Sequence, residues 1–164
     1  KYLATTELPY QTMDDLIDAN NAADDQELIY FGQELFQMAA AKSEDDKDDY
    51  LKALENSKRL AGEEGIDAML KEHELDLLIA PTTSPSWKID RVNGDNYSGS
   101  ASSPAAVAGY PHITVPMGYI QIGEEPALPV GLSFFSTAKA EPVLIEAAFA
   151  YEQATKHRKA PQFD

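Results

Sequence analysis

The stretch from residue 97 to residue 103 is rich in Ser and Gly, a composition found both in serine nucleophile sites and in loops. Its serines are Ser98, Ser100, Ser102 and Ser103. A catalytic serine needs an activating base and an oxyanion hole, and Lys88, which lies upstream, is a candidate base if it is desolvated. Ser/Gly clusters are more often flexible loops or helix caps. We therefore expect a structural role for these serines.

The remaining titratable residues show no catalytic or metal-binding pattern. The chain has no cysteine, and its three histidines lack the spacing of metal ligands; they are His73, His112 and His157. Neighbouring carboxylates, such as Asp14 with Asp15 or Glu124 with Glu125, diverge on a helix. No Gly-rich phosphate loop follows a predicted strand. We expect no metal ion and no cofactor, and we interpret His112 as a hydrogen-bonded structural residue.

The segment 82–104 is predicted to be a long irregular loop, because it is rich in Thr, Ser, Pro, Gly and Asn. Long loops that follow buried strands often carry binding sites. Within this loop, Trp87 and Tyr97 have aromatic rings that can stack on a ligand. Packing is the more common role for such a tryptophan, so both interpretations of Trp87 stay open.

The net charge of −15 argues against several classes of partner. Phosphate binding needs a basic surface, so we expect no nucleic acid. An anionic membrane surface would repel the chain, and no apolar run is long enough to span a bilayer. An acidic surface can attract cationic partners, although solubility is the simpler explanation.

The start of the chain and its composition bear on its cellular origin. The absence of cysteine removes disulfides but does not fix the compartment. No signal peptide opens the chain, so we expect a cytoplasmic protein, with secretion as the alternative. The sequence begins with Lys1 and not with Met, which indicates a fragment or a processed product.

The first half of the chain is predicted to be mainly helical. Capping boxes that begin at Thr12 and Ser43 start two helices. A further helix opens at Asp24 and has apolar residues at helical spacing, which predicts one buried face. Gly62 and Gly65 weaken the middle of the long third helix by about 1 kcal/mol each relative to Ala. These glycines indicate either a break in the helix or tight packing against another element.

Three segments in the second half are predicted to form strands: residues 75–81, a turn and short buried strand within 108–116 that contains the β-branched run 113–115, and residues 128–135. The first contains four continuous apolar residues, 77–80, that end at Pro81, which is typical of a parallel strand buried on both faces. The other two are joined by a loop that contains Gly118, Gly123 and Pro126. A helix over residues 141–157 follows. This order predicts an α/β fold with three core strands, and we expect the chain to complete a larger sheet.

Four segments, taken in order, resemble the C-terminal part of the amidase signature family. They are residues 76–83, its strand-then-proline segment; residues 108–118, its AGxPxxxVPxG turn and strand; residues 128–132, its LPxGL strand start; and residues 141–152, its final helix. Residues 31–34 and 65–70 are similar to the branch closest to peptide and small-amide hydrolases. The joint presence of these segments, from about residue 12 onwards, makes the resemblance specific.

This resemblance implies an amidase that uses a Ser–cis-Ser–Lys triad, with backbone amides stabilising the oxyanion. In the family, the triad lies upstream of every matched segment. The resemblance therefore implies that no catalytic residue lies in this chain and that the chain alone is inactive. It also implies that loop 82–104 helps to line the substrate pocket, with Thr82, Thr83, Trp87 and Tyr97 as candidate pocket residues.

The implied fold is the C-terminal part of a mixed-sheet α/β sandwich. Residues 1–164 would form a single region of the amidase domain, mainly helical over 1–74 and with strands, loop and final helix over 75–164. The implied partners are a small-molecule amide substrate and the N-terminal amidase region. Exposed strand edges favour association into a homo-oligomer. Two alternatives remain: a non-catalytic acidic α/β interaction module, and a protein like the A-type subunit of an amidotransferase.

Overall fold

The computed structural model describes residues 2–121, 123 and 127–161; Glu124, Glu125 and Pro126 lie outside them. The chain divides into two compact units, residues 1–52 and 53–164. The α-helices are α1 (Met13–Ala22), α2 (Asp24–Glu27), α3 (Glu34–Ala40), α4 (Lys47–Ala61), α5 (Ala68–Glu72), α6 (Ser102–Ala108) and α7 (Glu141–Thr155). The strands are β1 (Leu78–Pro81), β2 (His112–Ile120) and β3 (Leu128–Phe135). The expected organisation as a single region of an amidase domain stays a prediction.

In the first unit, α1 begins at the predicted capping box. Thr12 Oγ1 accepts a hydrogen bond from the Asp15 amide at 3.1 Å, and Asp15 Oδ2 accepts one from the Thr12 amide at 2.8 Å. The backbone amide of Gln11 also donates to Asp15 Oδ2 at 2.7 Å. These backbone hydrogen bonds, led by that of Gln11, lower the pKa of the Asp15 carboxyl. The box therefore satisfies amide groups that a helix start leaves unpaired.

The helix predicted from Asp24 is divided in the structure into α2 and α3. Between them lies Gln33, whose buried side-chain amide donates to Ile17 O at 3.2 Å and to Asn21 Oδ1 at 2.6 Å. The predicted buried face is wrong, since Phe31 and Leu35 are 83% and 78% exposed. The Gln33 side chain therefore joins this segment to α1 by hydrogen bonds.

In the second unit, the three strands form an antiparallel sheet in the order β1-β3-β2. In this sheet, Ser133 of β3 lies opposite Ala80 of β1 on one side and opposite Thr114 of β2 on the other. The three-stranded α/β prediction is confirmed, but the parallel pairing predicted for the first strand is wrong. A continuous apolar run indicates coverage of both faces and does not by itself fix strand direction. The strand is also shorter than predicted, because it begins at Leu78.

The two faces of the sheet are covered by different helices, because successive strand residues point to opposite sides. On one face Leu132 and Phe134 pack with Leu144 and Ala148 of α7. On the other face Phe135 packs with a second cluster, formed by Ile66, Leu70 and Ala105. Because alternate side chains of β3 point to opposite faces, this one strand contributes residues to both hydrophobic clusters of the unit.

The predicted weak point of the long helix is a π-helical turn, Gly62–Asp67, between α4 and α5. A Cβ atom at Gly62 would lie 3.0 Å from the Tyr110 hydroxyl. That hydroxyl donates a hydrogen bond to Asp67 Oδ2 at 2.6 Å. The prediction of tight packing at this glycine is confirmed, and the π turn places Asp67 against the start of β2.

The final helix, α7, begins with Pro142 in its first turn and ends at Lys156 in a left-handed conformation with φ of 52°. The Lys156 amide donates to Glu152 O at 2.9 Å, which closes the last turn. Among the helices that the structure describes, none has the length and apolar character needed to cross a membrane.

Candidate functional site

Three side-chain hydroxyl groups meet where β1 ends beside β3 and β2. Thr82 directly follows β1, Thr114 lies in β2, and Ser133 lies opposite Thr114 in β3. The paired residues of one row project to the same face of a sheet. Ser133 Oγ donates to Thr82 Oγ1 at 2.8 Å, and Thr82 Oγ1 donates to Thr114 Oγ1 at 3.2 Å. Thr114 Oγ1 and Ser133 Oγ are also 3.2 Å apart. These three residues are called the hydroxyl ring.

The members of the hydroxyl ring differ in their access to solvent. Ser133 is fully buried, Thr82 is half-buried and Thr114 is exposed. A buried hydroxyl group costs free energy unless it has a hydrogen-bond partner. The ring gives the buried Ser133 hydroxyl its hydrogen-bond partners, and it links that hydroxyl to Thr114 at the protein surface.

Gly131 provides the space that the hydroxyl ring needs. A Cβ atom at this position would lie 2.6 Å from Thr82 Oγ1 and 2.6 Å from Thr114 Cγ2. Both distances are far below van der Waals contact, so any larger residue displaces a ring member. The glycine of the LPxGL segment therefore has a steric role in this unit.

The backbone of Thr82 is held on both sides. Its amide donates to Gly131 O at 2.8 Å, and its carbonyl accepts from the Ala101 amide at 3.0 Å and from Ser100 Oγ at 2.9 Å. Ser100 Oγ also lies 2.8 Å from Ser102 Oγ. Two members of the Ser/Gly cluster thus fix the position of Thr82 and the start of α6.

Thr83 and Ser84 continue this segment. Thr83 forms an isolated antiparallel bridge with Ser100, and its hydroxyl donates to Gly99 O at 3.1 Å. The Ser84 hydroxyl is shielded from solvent and has no hydrogen-bond partner among the described residues. A buried hydroxyl without a partner costs free energy, and the Ser84 hydroxyl is such a group.

The two aromatic pocket candidates contact each other. The rings of Trp87 and Tyr97 lie edge to face, with centroids 6.3 Å apart and an interplanar angle of 64°. Trp87 Nε1 donates to Asp95 Oδ1 at 3.4 Å. Tyr97 remains 59% exposed. A ligand-stacking role for Trp87 and Tyr97 stays a prediction, as does the assignment of Thr82 and Thr83 to a substrate pocket.

The sequence interpretation did not identify Thr114 and Ser133, which the structure joins to Thr82. A signal for them exists in the strand pattern. Each is a hydroxyl residue within an otherwise apolar strand, Thr114 between Ile113 and Val115 and Ser133 between Leu132 and Phe134. Their meeting depends on the register between β2 and β3, which the sequence alone does not specify.

An apolar groove of about 680 Å³ lies on the same unit, between α4, the π turn, α6 and β1. Its lining includes Leu60, Ile66, Met69, Ile79, Val107 and Phe135. Ile79 is 60% exposed and Leu60 is 51% exposed. Apolar side chains gathered in one exposed groove typically mark a ligand or protein contact.

His112 lies at the start of β2, with its ring 5.8 Å from that of Phe135. Burial lowers the pKa of the His112 imidazole. Its Nε2 atom is shielded from solvent and has no hydrogen-bond partner among the described residues, so the predicted hydrogen bond is wrong for this nitrogen. Within the described part of the chain, no group of three or more His, Asp or Glu residues is placed to hold a metal ion.

The fold is similar to solved amidase structures. The native peptide amidase from Stenotrophomonas maltophilia superimposes with a TM-score of 0.88 and 48% identity, covering 99% of this chain and 32% of that one. An amidase family protein from Bacillus anthracis gives a TM-score of 0.68 and 26% identity, over 99% of this chain and 28% of that one. The likeness therefore extends over almost all of this chain.

Sequence relatives agree with the structural ones, although no family model matches the chain. A probable amidase of Arabidopsis thaliana is 35% identical over 94% of this chain, and the A-type subunit of glutamyl-tRNA(Gln) amidotransferase from Oceanobacillus iheyensis is 34% identical over 58% of it. This chain spans only 26% and 20% of these two relatives. The chain belongs to the amidase signature family and corresponds to the C-terminal portion of its amidases.

Proposed function

We propose that this chain is part of an enzyme that hydrolyses carboxylic amides and that it supplies part of the substrate pocket. The observation that carries the proposal is the match to the Stenotrophomonas maltophilia peptide amidase, at 48% identity over 99% of this chain. The TM-score of 0.88 supports a common arrangement of these elements. Likeness at this level supports a shared reaction more strongly than likeness of fold alone.

The reaction would use groups from both parts of the enzyme. A serine in the region outside this chain would attack the amide carbonyl, the C–N bond would break, and the amine would leave with a proton. Water would then hydrolyse the acyl-enzyme to the carboxylic acid. In this proposal the present chain contributes no nucleophile, and its contribution is to bind and orient the substrate through Thr82, Thr83, Trp87 and Tyr97.

The remaining amidase region is the proposed partner of this chain. The apolar groove leaves Leu60, Met69, Ile79 and Val107 between 44% and 60% exposed. In the three-stranded sheet, β1 and β2 each have one side that no described strand pairs. Unpaired strand edges and apolar grooves favour further association. We expect the isolated chain to self-associate and to be inactive, and a cytoplasmic location also stays a prediction.

A chimera tests the proposed reaction directly. The segment of the Stenotrophomonas maltophilia peptide amidase that aligns with residues 2–161 would be replaced by this chain. Ammonia release from a peptide amide would then be measured. The same peptide amidase without the aligned segment is the negative control, and the unaltered enzyme is the positive control. Amide hydrolysis by the chimera that is absent from the negative control supports the proposal.

The two alternatives predict other results. A self-contained interaction module would be a monodisperse monomer with a cooperative thermal transition, and its chimera would be inactive although folded. A component of an amidotransferase would depend on partner subunits for activity. The amidotransferase relative matches 58% of this chain, compared with 94% for the probable amidase. This difference in coverage favours the hydrolase.

A further inference from the structure

The hydroxyl ring has no hydrogen left to donate. Each of its three hydroxyl groups carries one hydrogen. Ser133 donates to Thr82, and Thr82 donates to Thr114. In the third contact, between Thr114 Oγ1 and Ser133 Oγ at 3.2 Å, either oxygen can be the donor. We assign Thr114 as the donor, because the single hydrogen of Ser133 is already used toward Thr82. The cycle is therefore closed, and each oxygen atom keeps one lone pair as a free acceptor.

Only two of the three ring oxygen atoms belong to residues that solvent can reach. Ser133 is fully buried, whereas Thr114 is exposed and Thr82 is half-buried. A group that approaches the ring from outside therefore meets the oxygen atoms of Thr114 and Thr82. It forms a hydrogen bond there only if it is itself a donor, because any other group must first break the ring.

The ring is held rigidly enough to select a ligand. Both backbone groups of Thr82 are hydrogen-bonded, to Gly131, Ala101 and Ser100. The absence of a side chain at Gly131 is required for the positions of Thr82 and Thr114. Acceptors fixed in this way lose little conformational freedom when a ligand binds.

A further unpartnered hydroxyl lies in the same segment of the chain. The Ser84 hydroxyl, two residues after Thr82, is shielded from solvent without a hydrogen-bond partner among the described residues. Its hydrogen is available to an acceptor such as a carbonyl oxygen, whereas the hydroxyl ring offers acceptors only.

We propose that Thr82 and Thr114 accept hydrogen bonds from the N–H groups of a primary carboxamide. The hydroxyl ring thereby selects substrates with a free amide NH₂ over esters and over tertiary amides. This inference rests on the proposed amide hydrolysis, because it assigns the ring to the same substrate. The ring would recognise the N–H groups of its ligand, so a carbonyl compound that lacks N–H groups is the matched control.

Binding to the full chain tests the inference without any requirement for activity. Threonine methyl groups would be labelled with ¹³C and followed by NMR during titration with benzamide and, separately, with N,N-dimethylbenzamide. These ligands share the aromatic ring and the carbonyl, and only benzamide has N–H groups. We expect the methyl signals of Thr82 and Thr114 to shift with benzamide alone, while that of Thr155, in α7, stays in place.

Variants separate ligand binding from structural support. Thr114→Val keeps the shape of the side chain but removes its oxygen, so the shift at Thr82 should be lost. Thr114→Ser keeps the oxygen and should retain that shift. Equal responses to both ligands, or no response of the Thr82 and Thr114 methyl groups to benzamide, would overturn the inference. Unfolding midpoints of both variants would show whether either change acts through stability.

The chimera provides a kinetic readout that distinguishes the two proposals. Loss of one neutral hydrogen bond predicts that Thr114→Val raises KM for a peptide amide about 2- to 10-fold, with restoration in Thr114→Ser. An inactive parent chimera that still shows selective benzamide binding contradicts the proposed reaction and supports the ring as an amide-binding site. An active chimera in which Thr114→Val leaves KM unchanged contradicts the ring assignment alone.

Discussion

Replacing Tyr110 with Phe removes one hydroxyl group and leaves the aromatic ring in place. In the parent chain this hydroxyl donates to Asp67 Oδ2 at 2.6 Å. The second carboxyl oxygen, Oδ1, is shielded from solvent and has no hydrogen-bond partner among the described residues. A hydrogen bond to a charged group contributes about 1.5–3 kcal/mol. We expect Tyr110→Phe to lower the free energy of unfolding by this amount, or Tm by about 3–12 °C.

Equilibrium unfolding in urea, followed by far-UV circular dichroism, measures this loss. Tyr30→Phe is the matched control, because the Tyr30 side chain is 83% exposed and its change should stay within about 0.5 kcal/mol. An equal stability of Tyr110→Phe and the parent chain would refute the reasoning. It would mean that the hydrogen bond between the π turn and β2 has no net effect.

The pH dependence of the same contact provides a second check. The hydrogen bond to Asp67, together with burial, raises the pKa of the Tyr110 hydroxyl. The folded chain thus holds this proton more tightly than the unfolded chain, in which tyrosine has a pKa of about 10. The stabilisation is complete below that value and is lost as pH rises through the folded pKa. The decrease should be absent from Tyr110→Phe.

Three further variants test other parts of the structure. Gly131→Ala places a Cβ atom 2.6 Å from Thr82 Oγ1, and it should cost about 1–3 kcal/mol in urea unfolding; an unchanged midpoint would contradict the packing. Burial lowers the pKa of His112, so its contribution to stability should be complete above about pH 6.5 and decrease as pH falls toward the folded pKa. Tm measured at several pH values should fall less steeply in acid for His112→Phe than for the parent. Thr12→Ala removes the acceptor for the Asp15 amide and should cost about 1 kcal/mol of helix stability, visible as lower helicity by circular dichroism.

Local sequence signals predicted the elements that depend on neighbouring residues. The capping box at Thr12 forms as expected, because it requires only groups within three residues. The glycine pair in the long helix indicated either a break or tight packing, and at Gly62 the structure shows a π turn packed against Tyr110. The three strands and the final helix were also predicted from apolar patterns.

Features that depend on distant residues were not predicted. The direction of β1 depends on its pairing with β3, and a continuous apolar run is compatible with either direction. The segment from Asp24 to Ala39 has helical spacing, yet it is interrupted before Glu34, and the side chain of Gln33 at this interruption bonds to α1. The sequence did not indicate this hydrogen bond, since it joins residues far apart in the chain.

One residue of the hydroxyl ring, Thr82, lies in a loop that the sequence analysis selected. Loop 82–104 was selected because it follows a buried strand, and the structure places Thr82 at the end of that strand in the hydroxyl ring. Thr114 and Ser133 were missed, since the register between β2 and β3 brings them together. A hydroxyl residue within an apolar strand would have been a useful signal for both.

Amide hydrolysis by the chimera with Stenotrophomonas maltophilia peptide amidase is the most direct test of the central claim. The measured quantity is the rate of ammonia release from a peptide amide. We predict hydrolysis clearly above that of the peptide amidase lacking its aligned segment, because this chain shares 48% of its residues with that relative at a TM-score of 0.88. A folded, soluble chimera that releases no more ammonia than the negative control would contradict the claim.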